Sequence, residues 1–218
     1  WHLSAEHELA IFDAGISYMG EMEKLASIFR CTIGLLCNIG EAHQEGFPSR
    51  EAKLREKLQL FREAEVLIYC RDDQMVEQAV RELGRPTMSW SRHQEADIRV
   101  VQREARGEAT EIAVSYQGRS IAFRIPFTDD ISFENALHCL AVMLHLGIPA
   151  AQIEARMAWL EGVAMRLETS AGINGCTIIN DSYNLDLTAL SAALGYLSRQ
   201  PYPGRRTLIL SDILQSGE

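Results

Sequence analysis

The chain has 218 residues, 47% of them hydrophobic and 23% charged, which is the composition of a globular protein with a sizeable core. The 30 Asp and Glu residues outnumber the 21 Lys and Arg, and the net charge of −9 argues against nucleic acid as the main partner. No uninterrupted apolar run reaches the roughly 18 residues of a membrane span, and no signal peptide opens the sequence. Because the first residue is Trp1 and not Met, we expect a piece of a longer protein.

The cysteines point to a reducing environment. They are odd in number, widely spaced and free of any CxxC pair, which disfavours a zinc ribbon and a secreted disulfide framework. We therefore predict a cytoplasmic protein. The five are Cys31, Cys37, Cys70, Cys139 and Cys176.

The first third of the chain alternates between strand and helix patterns. Short apolar runs predict buried strands at 9–12, 32–36 and 66–70. Helical spacing predicts helices at 22–29, 49–64 and 74–83. Strands that alternate with helices at this pitch indicate parallel βαβ units, so we predict an α/β fold with a mostly parallel sheet flanked by helices.

A different pattern begins near residue 87. Alternating apolar residues predict antiparallel strands at 98–100, 112–114 and 121–125, with a hairpin turn at Gln117-Gly118. Helices are predicted at 133–146, with Ser132 as N-cap, and at 151–160.

The strand-helix alternation restarts after Arg166. A strand is predicted at 177–179, a helix at 187–197 and another strand at 207–210. We place a domain boundary there, with a first domain at 1–166 and the start of a second, Rossmann-like α/β domain at 167–218.

Asp13 and His43 each follow a predicted strand. Open α/β sheets bind ligands beyond the carboxyl ends of their strands, and a carboxylate there suits Mg²⁺ on a nucleotide phosphate. The alternative for Asp13 is a cap of the turn before Gly15, and a loop histidine is by itself more often hydrogen-bonded than a ligand. If the two strands are neighbours, both side chains reach one crevice.

Lys57 lies within the apolar arc of the helix predicted from Ser49, beside Leu60 and Phe61. A lysine there either extends outward to water or is held near an internal site with a lowered pKa. Lys53 lies one turn earlier on the same flank, so the pattern does not choose between the two lysines. The opposite, polar arc contains Arg55, Glu56, Gln59, Arg62 and Glu63.

Polar residues gather between the strand at 177–179 and the following helix, at 180–184. Their place is that of a ligand site, and equally that of a turn with a helix N-cap. No GxxxxGK[ST] phosphate loop, GxGxxG, HExxH or GxSxG occurs in the chain.

Five motifs in order resemble the Mur ligases, from their central domain into their C-terminal domain. They are Phe-Asp-Ala-Gly at 12–15, Gly-Glu-Met at 20–22, Asn-Ile-Gly-Glu-Ala-His at 38–43, Met-Arg-Leu-Glu at 165–168 and Asn-Asp-Ser-Tyr-Asn at 180–184. The Ser-Tyr-Asn form resembles the member that adds D-alanyl-D-alanine to UDP-N-acetylmuramoyl-tripeptide. Residues 207–217 resemble the version fused to alanine racemase.

The resemblance implies an ATP-dependent ligase of peptidoglycan synthesis that works through an acyl phosphate. By the same resemblance Asp13, His43 and Lys57 would bind Mg²⁺, with His43 as a ligand of the second Mg²⁺. His43 and Lys57 would be the catalytic pair, and Lys57 would be carbamylated. Asp13 stands where the family usually has Glu. ATP and Mg²⁺ are the expected cofactors, with pyridoxal phosphate only if a racemase follows; the tripeptide and D-alanyl-D-alanine are the expected partners.

Further roles follow from the resemblance. Asn135 matches the adenine-contacting asparagine, Arg166 and Asp181 match residues that hold phosphate and ribose, and Asn184 joins this nucleotide-binding set. Leu-Asp-Leu at 185–187 departs from the Ala-Asn-Pro of many relatives. Because the phosphate loop is missing, we expect the chain alone to be inactive. The alternatives are another Mur-type ligase, such as folylpolyglutamate synthase, and a non-catalytic binding module.

Overall fold

The structure, a computed structural model, describes residues 4–40, 44–183, 187–200, 202 and 204–211. The α-helices are α1 Glu21–Ile28, α2 Arg50–Leu58, α3 Gln74–Leu83, α4 Asp130–His145, α5 Ala150–Met157 and α6 Leu187–Arg199. The strands are β1 Ile33–Leu36, β2 Val66–Cys70, β3 Thr87–Ser91, β4 Ile98–Arg106, β5 Ala109–Tyr116, β6 Arg119–Ile125, β7 Glu168–Ala171 and β8 Thr177–Asn180. Short 3₁₀ helices occur at Gln44–Gly46, Gln59–Phe61 and Ile173–Gly175.

Six strands form one sheet in chain order, from β1 to β6. Strands β1 to β4 run parallel, whereas β5 and β6 pair antiparallel with their neighbours. The seam between β3 and β4 is short, since only Trp90–Ile98 and Ser91–Arg99 are paired. Strands β7 and β8 form a separate antiparallel pair. The predicted α/β class, mostly parallel with a small antiparallel part, is confirmed.

Strand β2 is buried on both faces of the sheet. Val66 and Ile68 pack into a cluster with residues of α4 and α5. Leu67 and Tyr69 pack on the opposite face, in a cluster with residues of α1, α2 and α3. Because both faces are covered, the strand reads as a continuous hydrophobic run, as parallel strands usually do.

The boundaries of α2 and α3 follow from capping chemistry. The Ser49 hydroxyl accepts from the Ala52 amide at the start of α2, and the Asp73 carboxylate accepts from the amides of Met75 and Val76 at the start of α3. Helix α3 ends at Gly84, which adopts a left-handed conformation (φ 66°). The predicted bounds of α3 are confirmed.

The predicted N-cap of α4 is wrong. The helix begins three residues before Phe133, and its cap is Asp129, whose buried carboxylate accepts from the Ser132 amide at 2.7 Å. Ser132 occupies the third helical position. An aspartate placed three residues before that amide satisfies it, so the helix gains a turn.

The hairpin turn predicted at Gln117-Gly118 is confirmed. Both residues have positive φ, at 50° and 72°, which is the two-residue turn that matches strand twist between β5 and β6. Strand β3 was not predicted, although its sequence Thr-Met-Ser-Trp-Ser alternates polar and apolar residues.

Two predicted strands are wrong. Residues 9–12 and 207–210 have no strand structure, and Ile11 and Ile209 are about nine-tenths exposed. An apolar run becomes a strand only where a neighbour pairs with it, and within the described ranges β1 pairs only with β2. No helix within these ranges is long and apolar enough to cross a membrane. The domain boundary near Arg166 stays a prediction.

Candidate functional site

Lys57 lies with Asp13 and Cys37 near the carboxyl end of β1. The lysine is half-buried, and this burial lowers the pKa of its ammonium, while Cys37 and Asp13 partly oppose the change electrostatically. The structure therefore brings two of the sequence-predicted residues, Asp13 and Lys57, within electrostatic reach of one another. It adds Cys37, which directly follows β1. His43 lies outside the described residues.

The Asp13 and Lys57 side chains suit a hard divalent cation if Lys57 is carbamylated. Carbon dioxide adds only to a neutral amine, and a lowered pKa increases the neutral fraction of Lys57. A carbamate on Lys57 would supply an anionic oxygen beside the Asp13 carboxylate, and Mg²⁺ prefers such oxygens. Unmodified, the described part of the chain contains no cluster of three His, Cys, Asp or Glu side chains that could hold a metal.

Lys53 differs from Lys57 in its surroundings. It is buried, with 4% of its surface exposed, and its Nζ donates to the Gly40 carbonyl at 2.7 Å. Its ammonium also lies 5.9 Å from the centre of the Phe47 ring. The helical pattern alone could not separate the two lysines; the structure gives them different partners.

Glu56 corrects the helical-wheel assignment of α2. The wheel placed it on the polar, outward arc, but it is 5% exposed, and its Oε1 accepts from the amides of Gly20 and Met22 at 2.9 and 3.0 Å. Gly20, at the N-cap of α1, has no side chain to satisfy these donors. The Glu56 carboxylate therefore caps α1 from the neighbouring helix, where the helix dipole favours negative charge.

A polar network joins the carboxyl ends of β2 and β3 to the start of α4. The Ser91 hydroxyl donates to Asp72, and the Arg92 backbone amide donates to the same carboxylate at 3.0 Å. The Arg92 guanidinium spans from Asp72 to Glu134, at 3.3 and 2.9 Å. The next residue, Asn135, is exposed, and its contact with adenine stays a prediction. Asp72 was not predicted as a site residue, although it follows a strand as Asp13 was expected to.

Arg166 lies two residues before β7 and Asp181 directly follows β8, so both lie at the same end of this antiparallel pair. The Arg166 guanidinium is 4.3 Å from the centre of the Tyr183 ring, and the Asp181 carboxylate accepts from the Leu167 amide at 3.1 Å. Met165 and Leu167, on either side of Arg166, have positive φ values of 59° and 50°. Such conformations are uncommon for these side chains. Asn184 lies outside the described residues.

A separate cleft of about 510 Å³ lies between the start of α4 and α6. Its lining includes Asp130 and Arg199, but none of the site residues predicted from the sequence. Among the described residues its lining includes no lysine, so we place the candidate site at Lys57, which lies within electrostatic reach of Asp13, and not in this cleft.

The sequence of this chain is similar to those of known proteins. The sequence model of the Mur ligase middle domain matches residues 2–143. The UDP-N-acetylmuramoyl-tripeptide–D-alanyl-D-alanine ligase of Bacillus subtilis is 28% identical over 214 residues, covering 97% of this chain and 46% of that protein. The Escherichia coli enzyme of the same name is 24% identical, covering 99% of this chain and 48% of its own length.

A solved structure resembles the fold closely. MurF from Acinetobacter baumannii superposes with a TM-score of 0.81 at 25% identity, covering 91% of this chain and 44% of that one. The chain thus spans about half the length of the curated relatives it matches.

Proposed function

Because this chain belongs to the Mur ligase middle-domain family, we propose that it forms part of the ligase that joins D-alanyl-D-alanine to UDP-N-acetylmuramoyl-tripeptide. The observation that carries the proposal is the extent of the match. Relatives with that name from Bacillus subtilis, Rickettsia prowazekii and Escherichia coli align with 97–99% of the chain, including the part beyond Arg166.

The alternatives within the family are supported less. UDP-N-acetylmuramate–L-alanine ligases match only 65% of the chain. A folylpolyglutamate synthase structure shares 16% identity, which speaks for the fold alone. The half-buried Lys57 beside Asp13 argues against a purely non-catalytic module, since a lysine with a lowered pKa is what a reactive amine requires.

In the proposed reaction the terminal phosphoryl group of ATP is transferred to the carboxylate of the tripeptide. The amine of D-alanyl-D-alanine then adds to the acyl carbon to form a tetrahedral intermediate and loses a proton to solvent. Collapse of the intermediate breaks the carbon–oxygen bond and releases phosphate, which leaves the new amide bond. Mg²⁺, when bound, would supply positive charge against the phosphate oxygens. Asp13 and the carbamate of Lys57 would bind Mg²⁺, and His43 would be a ligand of a second Mg²⁺.

The remaining residues would hold the nucleotide. Asn135 would contact the adenine from α4, whose first turn is tied to β2 and β3 through Arg92 and Glu134. Arg166, Asp181 and Asn184 would contact phosphate and ribose.

Wider roles follow as parts of the same proposal. The reaction would belong to cell wall synthesis, and through it to cell shape and division, in the cytoplasm. A following alanine racemase with its pyridoxal phosphate stays a prediction from residues 207–217, most of which lie outside the described ranges.

The test is phosphate release by the intact protein that carries this chain. We expect turnover only when ATP, Mg²⁺, the UDP-linked tripeptide and D-alanyl-D-alanine are all present. Three matched control reactions are run. The first uses UDP-N-acetylmuramate and L-alanine in place of the UDP-linked tripeptide and D-alanyl-D-alanine, and the second uses a folate and glutamate in their place. The third omits the amine. Turnover with either substituted pair, or none with any pair, would overturn the proposal.

A further inference from the structure

We propose that Lys53 is a positioning residue that fixes the loop after β1, residues 37–40, against the helix that carries Lys57. The inference rests on the proposed function, because it assigns the loop a task in that site. Lys53 acts on the site through the backbone of this loop and not by contact with the substrate.

Two side chains of α2 hold backbone groups of this loop. Lys53 Nζ donates to the Gly40 carbonyl at 2.7 Å, and Arg50 Nε donates to the Ile39 carbonyl at 3.1 Å. Contacts from one helix thus hold a segment without regular secondary structure.

The burial of Lys53 shows that this contact is specific. Removing an ammonium from water is costly unless hydrogen bonds replace the lost hydration, and an apolar residue is the ordinary occupant of such a position. Leu54 and Leu58 fill neighbouring positions of α2 with buried apolar side chains. Lys53 supplies a donor that an apolar residue could not bring to the Gly40 carbonyl.

The spacing along α2 places the contact between Lys53 and Gly40 close to Lys57. Residues four apart lie on the same helical face, so Lys53 and Lys57 are one turn apart on the face that meets the loop. Cys37, at one end of the loop, lies within electrostatic reach of Lys57, and Lys53 holds Gly40 at the other end. Helix α2 thereby holds the Gly40 end of the loop while the Cys37 end lies near the amine, and the sequence continues from Gly40 toward His43.

Hydrogen exchange and Mg²⁺ dependence test the proposal in the intact protein. Lys53→Met keeps most of the aliphatic stem but removes the donor, Lys53→Arg keeps a donor, and Lys24→Met is the same replacement at an exposed position. We expect Lys53→Met to speed amide exchange in the peptide covering 37–40 by about tenfold, the scale of a lost hydrogen bond to a charged group. The Mg²⁺ concentration for half-maximal turnover should rise several-fold, while kcat at saturating Mg²⁺ changes little.

Lys53→Arg should restore slow exchange, and Lys24→Met should match the unmodified protein. Equal exchange in Lys53→Met and Lys24→Met, or a lowered melting temperature without faster exchange at 37–40, would overturn the proposal. If Lys53→Met does not fold, Arg50→Met, at a half-exposed position, must speed exchange at the same peptide, and failure to do so is equally decisive. An inactive unmodified protein would defeat the proposed function, whereas the exchange data would still decide whether Lys53 holds the loop.

Discussion

At the scale of single residues, Lys57 and Lys53 are one helical turn apart and have different surroundings. The Lys53 ammonium is engaged by the Gly40 carbonyl, which requires an N–H donor. Lys57 is half-buried beside Asp13 and Cys37, and burial lowers the pKa of its ammonium. Only Lys57 therefore combines access with an environment that favours the neutral amine.

Replacing Lys57 with alanine should abolish most ligase activity in the intact protein. We expect kcat to fall by about two orders of magnitude, since a lost metal ligand removes several kcal/mol of charge stabilisation. Short carboxylates such as formate should restore part of the activity by replacing the oxygen donor. Arg55→Ala, at an exposed position on the same helix, is the control, and thermal melts should be similar for both. Equal, mild losses at both positions would show that Lys57 is an ordinary surface-directed lysine.

His138 should make stability depend on pH in a defined window. It is 4% exposed, its Nδ1 accepts from Trp90 Nε1 at 3.1 Å, and burial lowers its pKa to about 4, against an ordinary value near 6.5. Well above pH 6.5 the ring is neutral in both the folded and the unfolded state, and its contribution is complete. Between pH 6.5 and 4 the unfolded chain takes up a proton that the folded chain does not, so stability falls by about 3 kcal/mol in total.

Urea unfolding from pH 7 to pH 4, for the chain and for His138→Gln, measures this contribution. The variant should be less stable at pH 7, and its free energy of unfolding should decrease less steeply as the pH falls. Parallel curves for the two proteins would mean that His138 is not the titrating group.

At the scale of secondary-structure elements, the start of α4 offers a paired test of capping. Asp129→Ala should lower the free energy of unfolding by about 1 kcal/mol, because it removes the acceptor of the Ser132 amide. Ser132→Ala should change it by less than about 0.5 kcal/mol, since its backbone amide and not its hydroxyl makes this contact. Denaturant unfolding measures the free energy of unfolding of both variants. A larger loss for Ser132→Ala than for Asp129→Ala would support Ser132 as the N-cap.

Local signals were sufficient where the structure depends on local chemistry. Helix α3 begins after Asp73 and ends before Gly84, as predicted, and the Gln117-Gly118 turn follows from its residue types. Glu56 could not be predicted, because its burial depends on α1 amides that lie 34 to 36 residues away in the sequence. For the same reason the role of Lys53 required knowledge of where Gly40 lies.

At the scale of the whole molecule, long-range pairing decided which apolar runs became strands. Val66–Cys70 has neighbours on both sides, whereas residues 9–12 and 207–210 have none in the described sheet. The composition of a run does not indicate whether a partner is available. The proximity of Asp13 to Lys57 was expected, although the strand that was to position Asp13 does not exist.

The 218-residue chain by itself should bind ATP weakly, with a Kd no tighter than about 1 mM. In phosphate-loop enzymes the loop amides and lysine make most phosphate contacts, and no GxxxxGK[ST] motif occurs in this sequence. Isothermal titration of the chain with ATP and Mg²⁺ checks this, with the intact protein as reference. A micromolar Kd for the chain would reveal a phosphate site of a different kind.

The short seam between β3 and β4 bears on the order in which the sheet assembles. Strands β4 to β6 are joined by two tight turns, so they can pair after closing only small loops, whereas each parallel pairing from β1 to β3 must wait for a helical crossover. With only two residue pairs across the seam, an early β4–β6 unit has little to hold it to the parallel part until α4 packs across both. Trp90, which is paired with Ile98 at that seam and buried beneath α4, thus becomes an optical marker of the late docking step and not of the initial collapse.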